Sequence, residues 1–222
     1  MEALLSWFHP ELGQILPSKL IPLAEQTNLI IPVSYWVLKT ACQQGVTWQE
    51  AGLQSLPIAV NFSPNQFQQP NLISMVQEIL SETGLEPSLL EIEITEKAIR
   101  QDEIFATQTL QDLCSLGVRI SLDDFGTGYS SLTYLVKFPF QTLKIDQSFV
   151  QFLQEKQRDI AVLSIRVVAE GVETRSQLEL LRSIGCEEVQ GFWFSHPLKT
   201  EDATKLLLEN SDGSLFINQG EF

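Results

Sequence analysis

Two adjacent aspartates, Asp123 and Asp124, stand at the end of a predicted strand and directly before a glycine-rich turn. The strand is indicated by apolar residues at alternate positions between residues 118 and 122. The turn, at residues 126–131, combines two glycines with Ser and Thr hydroxyls, and such turns expose backbone N–H groups that bind anions. Carboxylates beside exposed N–H groups suit a metal ion and a phosphate. This segment therefore predicts metal and phosphate chemistry.

Polar or charged residues close the other predicted strands as well. These residues are Glu2, Asn61, Glu93, Lys144, Glu170 and Gln190. Helical patterns lie between most of the strands, and this alternation favours an α/β fold with a parallel sheet. Such alternation is also found in (β/α)8 barrels, which need eight strands and whose active sites lie at the carboxyl ends of the strands. Seven strands are recognisable, and we expect the missing first strand to lie upstream of Met1.

The segment Leu89-Leu-Glu-Ile-Glu-Ile-Thr-Glu96 alternates polar and aliphatic residues. This strand period places Glu91 and Glu93 on one face. Parallel strands in α/β folds are covered on both faces, so a carboxylate there needs a partner. A metal ion is the best candidate partner for Glu93, whereas Glu91 is not included in the predicted site.

The composition narrows the class of protein. The chain has 222 residues, 44% hydrophobic content and a net charge of −14, which argues against DNA or RNA binding because phosphate backbones need excess Lys and Arg. An acidic site could still accept an anionic ligand if divalent cations reversed its charge. Three widely spaced cysteines favour a reduced, cytoplasmic setting. No apolar run approaches the ~20 residues of a membrane span.

The sequence has no loop between a predicted helix and the strand that follows it near residue 165. Residues 158–165 have a helical pattern, and residues 166–170 follow at once as a strand, although a helix-to-strand loop usually takes ~2–6 residues. We therefore expect a loop to be absent near 165/166, either truly deleted or missing from the sequence. Residues 1–210 are predicted to form one domain, incomplete at its N-terminus, and residues 211–222 a C-terminal tail.

The ordered motifs resemble those of the EAL family of cyclic di-GMP phosphodiesterases. The matching motifs are Glu2-Ala3-Leu4, Glu93-Ile-Thr-Glu96, Asp123-Asp-Phe-Gly-Thr-Gly128, Lys144-Ile-Asp146, Glu170-Gly-Val-Glu173 and Gln190-Gly191. The resemblance implies a modified (β/α)8 TIM-like barrel whose first strand is antiparallel, and that strand would precede Met1. It also implies a longer connection between Lys144 and Glu170 than this chain has, in agreement with the absent loop.

The resemblance implies a metal site for Mg²⁺ or Mn²⁺. Glu2, Asn61, Glu93 and Asp123 would ligate one ion, and Asp123 would reach a second ion beside Asp124. Hard divalent cations prefer such oxygen ligands. Two ions can activate a water molecule and stabilise the leaving oxygen of a phosphodiester.

The resemblance also assigns catalytic and supporting roles. Lys144 would orient the attacking water with Asp124 nearby, and Glu170 would serve either as general base or as a ligand of the metal-bound water. The groups expected around the substrate or behind these residues are Gln190, Glu173 and Asp146. Glu96 resembles the glutamate that anchors the loop after Asp124, which couples metal binding to dimerisation in the family.

One departure from the family bears on function. The family usually has the pattern Glu-Ala-Leu-x-Arg-Trp. This chain has Ser6 at the position of the Arg. The leading hypothesis is hydrolysis of cyclic di-GMP to a linear, 5′-phosphorylated dinucleotide. The alternatives are a catalytically inactive cyclic di-GMP receptor, which Ser6 favours, and a ligand-independent interaction domain. A homodimer is expected, within a larger parent chain that carries sensory, receiver or diguanylate cyclase domains.

Overall fold

The computed structural model describes residues 1–53, 56–125, 135, 137–146, 165–183, 185–186 and 188–209. It contains two compact units. The first comprises Met1–Ala51 and Ser55–Ile120, and the second comprises Gly52–Gln54 and Ser121–Phe222.

The first unit is an α/β structure with three parallel strands. Its elements are, in chain order, β1 (Glu2–Ala3), β2 (Trp7–His9), β3 (Gly13–Ile15), α1 (Pro17–Gln26), α2 (Ile30–Glu50), β4 (Ile58–Phe62), α3 (Pro64–Phe67), α4 (Leu72–Thr83), a 3-10 turn (Pro87–Leu89), β5 (Leu90–Thr95), α5 (Glu96–Gln101) and α6 (Glu103–Ser115). Strands β1, β4 and β5 pair in parallel. Strands β2 and β3 form an antiparallel hairpin that the predicted alternation does not include.

Helix α2 covers this sheet with one buried stripe. The stripe follows helical spacing and consists of Ile30, Ser34, Leu38, Ala41, Cys42 and Gly45. A Cβ atom at Gly45 would lie 2.6 Å from the Ile58 side chain, so the missing side chain lets the helix approach β4 closely. Strands β4 and β5 are buried along almost their whole length, as expected for parallel strands covered on both faces.

Local signals in the sequence set the helix ends. Gly84 ends α4 in the left-handed conformation, with φ 76°, which glycine adopts without steric cost. The Asp102 carboxylate accepts hydrogen bonds from the backbone N–H groups of Ile104 and Phe105 at the start of α6 and so caps that helix.

The Cys42 thiol is expected to resist alkylation in the folded chain. Its side chain is completely buried, and burial raises its pKa to about 12, so the reactive thiolate is scarce at mildly alkaline pH. Cys186 is partly exposed and should react faster with iodoacetamide, as peptide mass spectrometry can measure. Equal modification rates in the native protein would contradict this prediction, and unfolding in urea should remove the difference.

The second unit continues the pattern of parallel strands. Its elements are β6 (Arg119–Phe125), which begins in the first unit, β7 (Thr142–Ile145), β8 (Arg166–Ala169), α7 (Arg175–Ser183), β9 (Glu188–Val189) and α8 (Thr200–Glu209). The pairs β6/β7, β7/β8 and β8/β9 are all parallel.

The predicted α/β fold is confirmed, and all seven predicted parallel strands are present in the described part of the chain. Strands β5 and β6 end two residues later than predicted, at Thr95 and Phe125. The predicted glycine-rich turn at residues 126–131 lies outside the described residues, and so does the junction at residues 158–165 apart from its last residue. No helix among the described residues has the length and apolar character needed to cross a membrane.

Candidate active site

The first unit brings three of the predicted metal ligands onto neighbouring strands. Glu2 lies on β1 in register with Ala59 of β4, and Asn61 of β4 is in register with Glu93 of β5. Because Ala59 and Asn61 are two residues apart on one strand, all these side chains share one face of the sheet. The Asn61 amide nitrogen donates a hydrogen bond of 2.6 Å to Glu2 Oε1. Glu93 is only 3% exposed.

Glu96, the predicted loop anchor, is the first residue of α5. One carboxylate oxygen, Oε2, accepts a 2.7 Å hydrogen bond from Arg100. The other oxygen, Oε1, is buried and has no hydrogen-bond partner among the described residues. The loop that Glu96 is predicted to anchor lies outside the described residues, so this role stays a prediction.

In the second unit, strand β6 contains an extra residue where the two aspartates lie. Leu122 pairs with Leu143, but Phe125 pairs with Ile145, so three steps along β6 match two along β7. Asp124 has φ 57°, a left-handed conformation that aspartate tolerates better than most residues. Its N–H donates a 2.9 Å hydrogen bond to Asp123 Oδ1. Such bulges redirect side chains and are frequent beside active sites.

Three further predicted residues line up directly after the ends of strands β7, β8 and β9. The backbone N–H of Asp146 donates to Phe125 O, that of Glu170 to Ile145 O, and that of Gln190 to Ala169 O. Each residue is thereby tied to the last residue of the preceding strand. The carboxyl edge of this part of the sheet therefore carries Asp146, Glu170 and Gln190 in one row.

Lys144 supplies a buried positive charge to this edge. Its side chain is 4% exposed, and its Nζ lies 2.7 Å from Glu170 Oε1 and 3.9 Å from Asp123 Oδ1. An ammonium group between two carboxylates partly offsets their repulsion. It also offers N–H donors to a negatively charged group that binds there.

The carboxyl group of Asp124 is electrostatically disfavoured in its charged form. Desolvation raises its pKa, the Asp146 carboxylate raises it further, and Lys144 opposes both effects. Because the folded-state pKa lies above the unfolded value, ionisation of Asp124 destabilises the fold. This penalty is absent below the unfolded pKa and grows as the pH rises through the folded pKa.

Asp124→Asn is therefore expected to stabilise the metal-free protein at neutral pH, and the gain should vanish in acid. Asn tolerates the left-handed conformation, and the gain should be below about 1 kcal/mol because solvent screens this exposed carboxylate. Thermal unfolding at several pH values checks this, with Glu179→Gln as a control in an exposed ion pair. A lower melting temperature for Asp124→Asn at neutral pH would contradict the prediction.

Glu173 is exposed in the segment after β8, and its backbone is held by a residue that the motif-based prediction omits. The Gln177 Oε1 atom accepts hydrogen bonds from the N–H groups of Glu173 and Thr174, both of 2.9 Å. The capping role of Gln177 could have been predicted from the sequence, because Thr174-Arg-Ser-Gln177 has the capping-box pattern of helix N-termini.

The ligand atoms that these side chains offer fit a hard divalent cation. The hydrogen bond between Asn61 and Glu2 uses the amide nitrogen, so it does not occupy the amide oxygen, which is the atom of Asn that ligates metals. Glu93 adds a buried carboxylate. Among the described residues, no three His, Cys, Asp or Glu side chains are grouped closely enough to hold a metal ion.

Known proteins match this chain over most of its length. The profile of the EAL domain family matches residues 1–197. The bifunctional diguanylate cyclase/cyclic di-GMP phosphodiesterase MucR of Pseudomonas aeruginosa is 42% identical over 90% of the chain. The cyclic di-GMP phosphodiesterase NbdA of the same species is 40% identical over 89%. The chain covers 31% and 27% of these two proteins and about a quarter to a third of the other curated relatives compared.

A solved structure matches both fold and sequence. The PaMucR phosphodiesterase in complex with c-di-GMP superposes with a TM-score of 0.84 and 42% identity, over 91% of this chain and 86% of that one. The EAL enzyme Bd1971 with cAMP and cyclic di-GMP bound gives a TM-score of 0.83 at 29% identity, over 93% of this chain and 59% of that one. These matches confirm the modified TIM-like fold. The chain belongs to the EAL domain family of cyclic di-GMP phosphodiesterases.

Proposed function

We propose that this chain hydrolyses cyclic di-GMP to the linear dinucleotide with a 5′-phosphate, using Mg²⁺ or Mn²⁺. The observation that carries the proposal is the arrangement at the carboxyl edge of the second unit, where Lys144 lies 2.7 Å from Glu170 and 3.9 Å from Asp123. The cyclic di-GMP complex of a 42% identical EAL phosphodiesterase supports the substrate.

The proposed ligands of the cations are Glu2, Asn61, Glu93, Asp123 and Asp124. Bound divalent cations would polarise the phosphoryl group and lower the pKa of a water molecule. All five side chains offer carboxylate or amide oxygens, which Mg²⁺ and Mn²⁺ prefer.

The chemical step needs a proton acceptor and a stabilising charge. In the proposed reaction the water oxygen bonds to phosphorus, Glu170 accepts one of its protons, and the P–O3′ bond breaks. The O3′ atom takes up a proton from solvent. Lys144 orients the water and stabilises negative charge on the phosphoryl oxygens. Gln190, Glu173 and Asp146 are proposed to position the water and the substrate.

Product analysis tests the proposal. The chain is incubated with cyclic di-GMP and either metal, and chromatography resolves the linear product. The wild type should form it, whereas Glu2→Ala and Glu170→Ala should not. Absence of linear product with either metal, or equal rates for the wild type and both variants, would overturn the proposal.

A cyclic di-GMP receptor without activity is the second candidate, and Ser6 favours it. Members of the family usually have an Arg at this position, and Arg binds phosphate through two parallel hydrogen bonds. Ser6 is exposed and cannot supply them. Calorimetry that shows tight binding of cyclic di-GMP without turnover would select the receptor.

Restoring Arg at this position is expected to tighten substrate binding. Ser6→Arg should lower the dissociation constant for cyclic di-GMP by roughly ten- to a hundredfold, since charge-assisted hydrogen bonds contribute about 1.5–3 kcal/mol. Ser6→Lys is the matched control, because it adds the charge without the planar fork. Calorimetry with a catalytically inactive Glu170→Gln background measures both. An unchanged affinity for Ser6→Arg would show that residue 6 does not face the phosphates.

The setting of the domain is also proposed from the family. Its curated relatives are about three to four times longer than this chain, so we propose attached sensory, receiver or diguanylate cyclase domains in a cytoplasmic signalling protein. We further propose a homodimer.

A further inference from the structure

The segment between β8 and α7, residues 170–174, carries Glu170 and Glu173. At its start, the Glu170 N–H donates to Ile145 O as a continuation of the sheet. The backbone then turns at Gly171, which has φ 64°. Beyond this turn the segment is no longer part of strand β8, and its position depends on contacts with the residues after β9 and with helix α7.

The first of these contacts is made at Gly191, which has no side chain and therefore lets the Val172 backbone lie close to it. A Cβ atom at Gly191 would lie 2.2 Å from Val172 O and 2.3 Å from Val172 N. Both are backbone atoms, so no rotation of a side chain could relieve the overlap. The Val172 N–H donates to Gln190 O at 3.0 Å, and the Trp193 N–H donates to Val172 O at 2.9 Å. Gly191 is thus required for these two hydrogen bonds to form around it.

Gln177 provides the second contact from helix α7. Its side chain is buried, at 8% exposure. The Oε1 atom accepts from the N–H groups of Glu173 and Thr174 and from Thr174 Oγ1 at 3.1 Å. In return, the Gln177 N–H donates to Thr174 Oγ1. In a capping box the N3 side chain accepts a hydrogen bond from the N-cap N–H alone, so the additional hydrogen bond from the Glu173 N–H extends the cap into the segment.

We propose that Gly191 and Gln177 are positioning residues that hold segment 170–174 so that Glu170 meets Lys144. The inference rests on the function proposed above. Gly191 fixes the middle of the segment through Val172, and Gln177 fixes its end through Glu173. Small displacements of a reacting group can cost about a hundredfold in rate, so neither residue needs to touch the substrate to affect turnover.

Two substitutions at Gln177 separate positioning from folding. Gln177→Met keeps the length of the side chain and removes the acceptor, whereas Gln177→Glu keeps an acceptor at a helix N-terminus that favours negative charge. Gln177→Met should lower kcat by roughly 10–100-fold, the range typical of residues that orient metal ligands through hydrogen bonds, with KM nearly unchanged. Gln177→Glu should restore most of kcat.

Hydrogen exchange gives a readout that does not depend on activity. The backbone amides of Glu173 and Thr174 should exchange faster in Gln177→Met than in the wild type, and Gln177→Glu should restore their protection. Unchanged exchange and unchanged kcat in Gln177→Met would overturn the inference, and so would a loss of kcat that Gln177→Glu fails to rescue.

A pair of glycine variants tests the other contact. Gly191→Ala should lose turnover, because the added Cβ meets the Val172 backbone. Gly185→Ala is the control, since Gly185 has φ 81° and no atom of the described residues lies within 4 Å of an added Cβ. This variant should lose stability but keep kcat. Equal effects of both variants on kcat would overturn the role of Gly191. If the wild type itself forms no linear product, the proposed function and this inference fail together, whereas wild-type turnover with normal Gln177→Met turnover overturns the inference alone.

Discussion

Lys144→Met is expected to abolish most phosphodiesterase activity and to destabilise the fold. The substitution keeps the apolar stem and removes the ammonium, which leaves the Glu170 and Asp123 carboxylates without their shared cation. Breaking a buried ion pair costs 3–5 kcal/mol. Because Glu170 is 21% exposed, we expect a smaller loss, of about 2 kcal/mol, in the free energy of unfolding. The rate should fall by roughly 10²–10⁴.

Lys39→Met is the matched control for this prediction. Lys39 Nζ lies 2.7 Å from Glu82 Oε2, the same distance as in the Lys144–Glu170 pair, but its side chain is 34% exposed. Exposed pairs contribute little to stability because solvent screens them. Denaturant unfolding and product chromatography should show a large change for Lys144→Met and a small one for Lys39→Met. Full activity in Lys144→Met would refute its role.

Glu170→Gln is expected to stop turnover while the chain still binds cyclic di-GMP. The amide oxygen of Gln can still accept a hydrogen bond from Lys144, so the local packing is kept. The amide cannot accept a proton from water, and loss of a general base typically lowers the rate by about 10²–10⁴. Product chromatography measures the rate, and calorimetry measures the retained binding.

Glu179→Gln controls for the loss of one negative charge. Glu179 lies on α7 and pairs with Arg175 at the surface, where its side chain is 61% exposed. This variant should keep the rate, the affinity and the melting temperature of the wild type. A Glu170→Gln variant that hydrolyses cyclic di-GMP as fast as Glu179→Gln would exclude Glu170 as proton acceptor.

The family and the general fold could be predicted from sequence because their signals are local. Alternating aliphatic residues indicate buried strands, and the polar residues that close them, such as Asn61 and Lys144, can be read directly. Helix ends at Gly84 and Asp102 follow from single-residue preferences. The oxygen-rich set of candidate ligands likewise depends only on residue type. Each of these features is determined by a few consecutive residues.

Contacts between residues at the ends of different strands could be identified only from the tertiary structure. Periodicity predicts which face a side chain occupies, but not the register between strands that are distant in sequence. The pairing of Lys144 with Glu170 depends on that register, and so does the extra residue that gives Asp124 its positive φ.

The close approach of one backbone segment to another could not be predicted from the sequence either. Gly191 could be identified as part of a motif, but its closeness to Val172 arises from two separate turns that meet. The Thr174-Arg-Ser-Gln177 pattern predicts a helix cap, whereas the added hydrogen bond to Glu173 depends on how the preceding segment folds. The sequence by itself therefore determined the family, the strands and the chemistry of their ends. Only the tertiary structure decided which of these side chains and backbone groups are in contact, because such contacts depend on the register between strands and on the course of the backbone after each strand.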